Sequence, residues 1–182
     1  MKILKWSLII LAVLIVALLG YLAYLGVFSA LKVTEQKLGP YTLAYAEYMG
    51  PYSGSGPILT RVNNSLKQDG VECTKGFGIY FDDPKQVAAD KLRSKLGCII
   101  EAKDLAKFGK VSRKYKIMKW PARDCLVTEF PIRSDLSYMI GPMKAYPELN
   151  KALKAKGYKM STVMELYDMP AKKILYIMVI AK

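Results

Sequence analysis

The 182-residue chain contains no histidine, so the side chain that most often moves protons near neutral pH is missing. Its absence excludes the usual Ser-His and Cys-His nucleophile pairs and most transition-metal sites, and no metal or cofactor is expected. Cys73, Cys98 and Cys125 are odd in number, lack a C-x-x-C spacing, and read as buried thiols. Carboxylates and phenols remain. In Val163-Met164-Glu165-Leu166-Tyr167, strand alternation puts Glu165 on the face of Val163 and Tyr167, opposite Met164 and Leu166. A carboxylate held in an aromatic wall suits a delocalised cation, with ring faces adding about 0.5 to 2 kcal/mol. The only visible route to hydrolysis is Glu165 as a general base, raised in pKa by burial, with a tyrosine as acid. Set against both is a wet sheet edge with the tyrosines as half-buried core.

An internal repeat organises the elements that must position these groups. Ala46-Glu47-Tyr48 lies over Thr128-Glu129-Phe130, Gly56-Pro57 over Gly141-Pro142, and Phe81-Asp82-Asp83-Pro84 over Tyr167-Asp168-Met169-Pro170, at offsets of 82, 85 and 86. A nearly constant shift at three separate places marks two copies of one supersecondary unit. Within each copy the apolar period changes from two to about 3.6 and back, giving strand, helix, strand, strand. The first copy reads as strand 41–49, a helix from Pro57 to Asp69 stopped at Gly70, then strands 77–81 and 96–101. The second reads as strand 124–130, a helix from Tyr146 or Pro147 to Lys156 closed by Gly157, then strands 162–167 and 173–180. The fold class is therefore α+β: duplicated β-α-β-β units forming a largely antiparallel sheet with two helices on one face. The natural cleft lies where the copies meet, and the repeat-related Glu47 and Glu129 are placed to flank it.

Before the repeat, residues 6–31 carry no charge, and 26 residues at about 1.5 Å each exceed the roughly 30 Å of a bilayer core. Trp6, Tyr21 and Tyr24 suit interfacial belts, with Lys2, Lys5, Lys32 and Lys37 as flanks. Residues 1–31 thus read as a single-pass transmembrane anchor, residues 32–37 as a juxtamembrane linker and residues 38–182 as the soluble domain. A cleaved signal peptide is the competing reading, but its apolar core normally ends after about 7 to 15 residues. The charge bias slightly favours an extracytoplasmic domain. Of 28 basic residues only Lys2 and Lys5 precede Lys32, so 26 basic face 15 acidic side chains in the remainder, a net of +11. The densest cluster, Lys103, Lys107, Lys110, Arg113, Lys114, Lys116 and Lys119, falls in an expected connector and reads as a solvated surface, or else as a patch for anionic headgroups.

Tyr48-Met49-Gly50-Pro51-Tyr52, Gly78-Ile79-Tyr80-Phe81-Asp82-Asp83-Pro84, Leu92-Arg93 with Gly97-Cys98, Phe130-Pro131-Ile132, Ala145-Tyr146-Pro147-Glu148-Leu149 and Met164-Glu165-Leu166-Tyr167-Asp168 together resemble the GyrI-like small-molecule-binding family. The later stretches are similar to its membrane-anchored branch, which includes an animal receptor for endoplasmic-reticulum phagy. The resemblance covers nearly all of residues 38–182. It implies two fused strand-helix-strand-strand units, a cleft for lipophilic and often cationic ligands, and Glu165 as the acidic pocket residue. Tyr48, Tyr52, Tyr80, Trp120 and Tyr167 are then the candidate walls. With no helix-turn-helix before the domain and no long tail after Lys182, DNA-reading and autophagy roles are not expected to carry over. The expected function is a membrane-tethered, non-catalytic binder of lipophilic or cationic small molecules. The rivals are a glutamate-dependent hydrolase of strained or reactive lipophilic compounds and a membrane scaffold holding a protein or anionic lipid.

Overall fold

An unbroken run of helix-compatible apolar residues with no proline makes α1, Lys2–Tyr24, in the computed structural model, which describes residues 2–181 apart from the side chains of 2, 3, 105–108, 110 and 112. Its span Leu4–Tyr24 is long and apolar enough to cross a membrane, and none of it is buried inside the fold. The helix stops seven residues short of Leu31, where the charge-free run ends. Gly26 adopts a left-handed φ of +83°, Gly26 N donates to Ala23 O, and Val27 N donates to Leu22 O. This pairing is a Schellman closure. Leu25, fully buried, and Leu31 and Val33 then pack on the domain.

The remaining elements are β1 (Thr34–Leu38), β2 (Tyr41–Met49), α2 (Ser55–Gln68), β3 (Lys75–Tyr80), β4 (Arg93–Ile99), α3 (Phe108–Lys114), β5 (Lys116–Trp120), β6 (Arg123–Pro131), α4 (Ser137–Ala155), β7 (Lys159–Asp168) and β8 (Lys173–Ala181). All pairings are antiparallel, in the order β1-β6-β8-β7-β3-β4-β2-β5. The six inner strands reproduce the repeat: β6-β8-β7 mirrors β2-β4-β3 about the β7/β3 junction. The outer two are exchanged. β1, all but Leu38 of it within the stretch read as a linker, pairs with β6 of the second copy, and β5, within the stretch read as a connector, pairs with β2 of the first.

This order forces the sheet to curl. Leu38 ends the first strand in the order and Tyr41 begins the seventh, yet only Gly39 and Pro40 separate them, a reach of at most about 11 Å. Trp120 and Arg123 impose the same closure from the other side. The two links meet: a Cβ built on Gly39, at φ +99°, would lie 2.9 Å from Pro121 O. Inside the curl sit Leu43, Tyr45, Phe77, Ile79, Met164, Leu166, Ile177, Val179 and Trp120.

The alternate residues face the helices. Ala44 and Cys98 receive Val62 and Leu66 of α2, with Val111 of α3 closing the cluster. Leu126, Phe130, Ile174, Tyr176 and Met178 receive Ala145 and Leu149 of α4. A third helix, α3, thus joins the two expected.

Two expectations are corrected. Cys73 and Cys98 are not separate thiols but form a disulfide with Cα atoms 5.8 Å apart, because the turn before β3 returns Cys73 to β4. Cys125 alone is a buried thiol, pushed up to about 11 by desolvation. The second helix begins at Ser137, ten residues before Pro147, because both Pro142 and Pro147 are accommodated inside it.

Candidate ligand site at the seam of the two repeats

The seam is the β3/β7 junction, where Gly78 pairs with Glu165 and Gly76 with Tyr167. Phe77 and Ile79 point into the curl, so Gly76, Gly78 and Tyr80 face the helices. Absence of side chains at both glycines makes room for rings: the Tyr80 ring lies back over Gly78, where a Cβ would come within 2.7 Å of its Oη. On β7, Glu165 and Tyr167 share that face, as alternation predicted. Tyr176 of β8 is directly across from Glu165.

Glu165 is 8% exposed. Its Oε1 accepts the Tyr146 hydroxyl at 2.6 Å and its Oε2 accepts the Tyr167 hydroxyl at 2.8 Å. With the Tyr167 proton so committed, Tyr80 donates to Tyr167 Oη at 3.1 Å. The result is a relay of phenols ending on a buried carboxylate. Burial pushes the Glu165 carboxyl above its usual range, and the tyrosine hydrogen bonds oppose the shift in part. Tyr80, Tyr146 and Tyr167 are raised by desolvation first and by the Glu165 charge second, so all three stay protonated donors. Tyr176 Oη is buried without a hydrogen-bond partner among the described residues.

Further rings extend the wall. Tyr52 meets Tyr80 edge-on at 4.7 Å, Tyr138 meets Tyr167 at 5.9 Å, and Tyr146 meets Tyr176 at 5.7 Å. Tyr52 is fixed by its hydroxyl, which accepts from Asp82 N at 3.0 Å and donates to Asp82 O at 2.9 Å. Asp82 is itself clamped by Arg93 through Nη2 at 2.7 Å and Nε at 3.0 Å, and these bonds hold its carboxyl below the usual carboxylate range.

Of the residues expected to line the cleft, Glu165, Tyr80, Tyr167 and Tyr52 come together. Tyr48 does not join them: its ring lies against Gly50 and Gly54 before α2 and its hydroxyl donates to Pro51 O at 3.3 Å. Trp120 lies inside the curl, on the opposite sheet face, with the Arg123 guanidinium 5.2 Å from its ring. Glu47 and Glu129 face away from the helices and pair with Lys116 at 2.7 Å and Lys173 at 2.8 Å. Tyr146, Tyr176 and Tyr138 belong to the wall and were not expected there. Tyr146 was hidden by the misplaced helix start, since only a helix already formed at Ser137 turns it toward β7.

The basic cluster is spread over α3, β5 and the turn before them, and is partly neutralised. Lys103 lies 3.7 Å from Glu72, Lys114 2.8 Å from Asp69, and Lys119 donates to Thr42. The side chains of Lys107 and Lys110 lie outside the described residues.

No family model matches the chain. It is similar to Testis-expressed protein 264 of Homo sapiens, with 26% identity over 168 residues, which cover 85% of this chain and 50% of that protein. The chain therefore spans about half the length of the curated relative it matches. Among solved structures it resembles the EcmrR C-terminal domain, with a TM-score of 0.62 at 13% identity over 84% of this chain and 98% of that one. It also resembles SAV2435 bound to tetraphenylphosphonium, with a TM-score of 0.52 at 12% identity over 82% and 94% of the two chains. These likenesses show that the chain shares its fold with the EcmrR C-terminal domain and SAV2435.

Proposed function

We propose that the chain is a membrane-tethered binder of lipophilic cations, which it holds between the two repeats against Glu165. The observation that carries this reading is a buried carboxylate ringed by phenols at the junction of two pseudo-symmetric halves. Burying a charge is costly, and here, among the described residues, the carboxylate is held by two neutral donors with no cationic side chain against it. A delocalised cation supplies the missing countercharge and stacks on the surrounding rings. The lipophilic cation on SAV2435, a protein of the same fold, supports this choice of ligand class. Both Glu165 oxygens accept tyrosine protons, an arrangement that favours holding a ligand over abstracting a proton.

Retention of α1 as an anchor is supported by its junction. Lys144 Nζ donates to Gly26 O at 3.0 Å, to Val27 O, and to Ser29 O at 2.6 Å, while Arg133 donates to Tyr24 O. A leader cut near Gly26 or Ala30 would leave these partners behind. The Cys73–Cys98 disulfide adds to the charge bias in favour of an oxidising, extracytoplasmic side.

The test is titration of tetraphenylphosphonium into the full chain in lipid nanodiscs, beside Glu165→Gln. Saturable binding that weakens by about tenfold or more in the variant is expected, corresponding to about 1.4 kcal/mol. No saturable binding, or equal binding by both, overturns the reading.

A further inference from the structure

Helix α4 has two faces of unlike environment. Ser137, Gly141, Ala145 and Leu149, four residues apart, are buried against β6 and β8. Leu136, just before the helix, and Met139 and Met143 within it stand on the outward side at 42, 66 and 76% exposure. Three large apolar side chains at i, i+3 and i+7 form a stripe rather than a scatter. Phe28, 63% exposed, lies in the segment that Lys144 of the same helix holds by its carbonyls.

The stripe is fastened to the exit of α1. Arg133 donates to Tyr24 O at the last turn of α1, and its own backbone N donates to Ser137 Oγ at the first turn of α4, at 2.9 Å. Arg133 also stacks its guanidinium 5.1 Å from the Tyr24 ring. The Schellman closure leaves no free linker between the two. Where α1 crosses the bilayer from Leu4 to Tyr24, its capped end and the carbonyls held by Lys144 lie at headgroup level. Leu136 is eight residues from Lys144, so the whole stripe falls within about 12 Å of that level along α4. Apolar tips flanked by Arg133 and Lys144 match the interfacial zone of a bilayer.

We infer that Leu136, Met139 and Met143, with Phe28, seat in the headgroup region of the same bilayer that α1 spans. The inference rests on the anchor reading above.

The experiment uses the full chain in lipid nanodiscs, with Cys125→Ala removing the free thiol and a nitroxide placed on Met139→Cys or Met143→Cys. Collision rates are measured with oxygen, which partitions into lipid, and with a water-soluble nickel chelate. Val13→Cys in α1 and Met160→Cys on β7 serve as lipid and water references. The expected result is an oxygen-to-nickel ratio at 139 and 143 severalfold above that at 160. A ratio equal to that at 160 while 13 reads as lipid overturns the docking alone. An aqueous reading at 13 overturns the anchor and the docking together. Dipolar broadening between labels at 139 assigns the stripe to a second copy and likewise overturns the inference.

Discussion

Tyr176 Oη stands against the backbone of Gly141, so close that a Cβ at that position would lie 2.1 Å from it. The glycine in α4 exists for this phenol, whose hydroxyl occupies the floor of the seam without a hydrogen bond from the described residues. Gly141→Ala must push Tyr176 or lift α4 and should cost about 1 to 3 kcal/mol, the usual range for overpacking. Tyr176→Phe, which removes an unpaired buried hydroxyl, should be neutral or stabilising. Combined, they should lose less than their separate effects sum to, a coupling read from thermal unfolding of the four proteins. Additivity would place Tyr176 elsewhere.

Glu165 should make stability fall as pH rises. Its carboxyl is raised in the folded chain, so between its ordinary pKa and the raised one the folded state holds a proton that the unfolded state has lost. Stability is then fully present below the ordinary carboxylate pKa and declines until pH passes the raised value. The melting temperature of wild type relative to Glu165→Gln should drop across that window and level off above it. Cation affinity should run the other way, increasing with pH as the carboxylate forms.

The disulfide predicts a thiol count. Denatured without reductant, the chain should take up one equivalent of alkylating agent, at Cys125, and three after reduction. With a sequence separation of 25, loss of the bridge in Cys73→Ser should lower stability by about 3.5 kcal/mol in the loop-entropy estimate.

Lys144 fastens the exit of α1 to the domain by three carbonyls. Lys144→Met keeps the stem but removes the donors, and trypsin cleavage after the exposed Lys32 should become several times faster in nanodiscs. An unchanged rate would mean that Arg133 and the Leu25, Leu31 and Val33 contacts hold the junction without Lys144.

Local rules located most of the fold. Alternation placed β2 at Tyr41–Met49 without error, and periodicity within each copy located α2 and every inner strand, while α4 was found but begun nine or ten residues late. The failures share a cause: each element missed is defined by what it meets far away. Thr34-Glu-Gln-Lys-Leu38 is too polar to read as a strand, and becomes one because β6 offers its edge and Lys156 and Tyr158 hold Glu35. Trp120 was assigned to the cleft because β5 was invisible in a lysine-rich stretch, and only its pairing with β2 fixes which face the indole takes. Pro147 fits the first turn of a helix by local preference, but packing of Ser137, Gly141 and Ala145 against β6 extends α4 past it. Glu165 was singled out by the resemblance, and alternation gave the face it shares with Tyr167; its partner Tyr146 required the correct helix start.

The exchanged outer strands also set a timetable. Thr34, ten residues past the end of α1, pairs with Val127, 93 residues further on. At about 5 to 20 residues per second, ribosomal synthesis leaves that edge waiting roughly 5 to 20 seconds for its partner. Over that interval the nascent strand's backbone is unpaired, and the charges of Glu35 and Lys37 guard it against pairing with another chain. The polarity that disguised β1 as a linker is thus the protection it needs before the second half of the protein arrives.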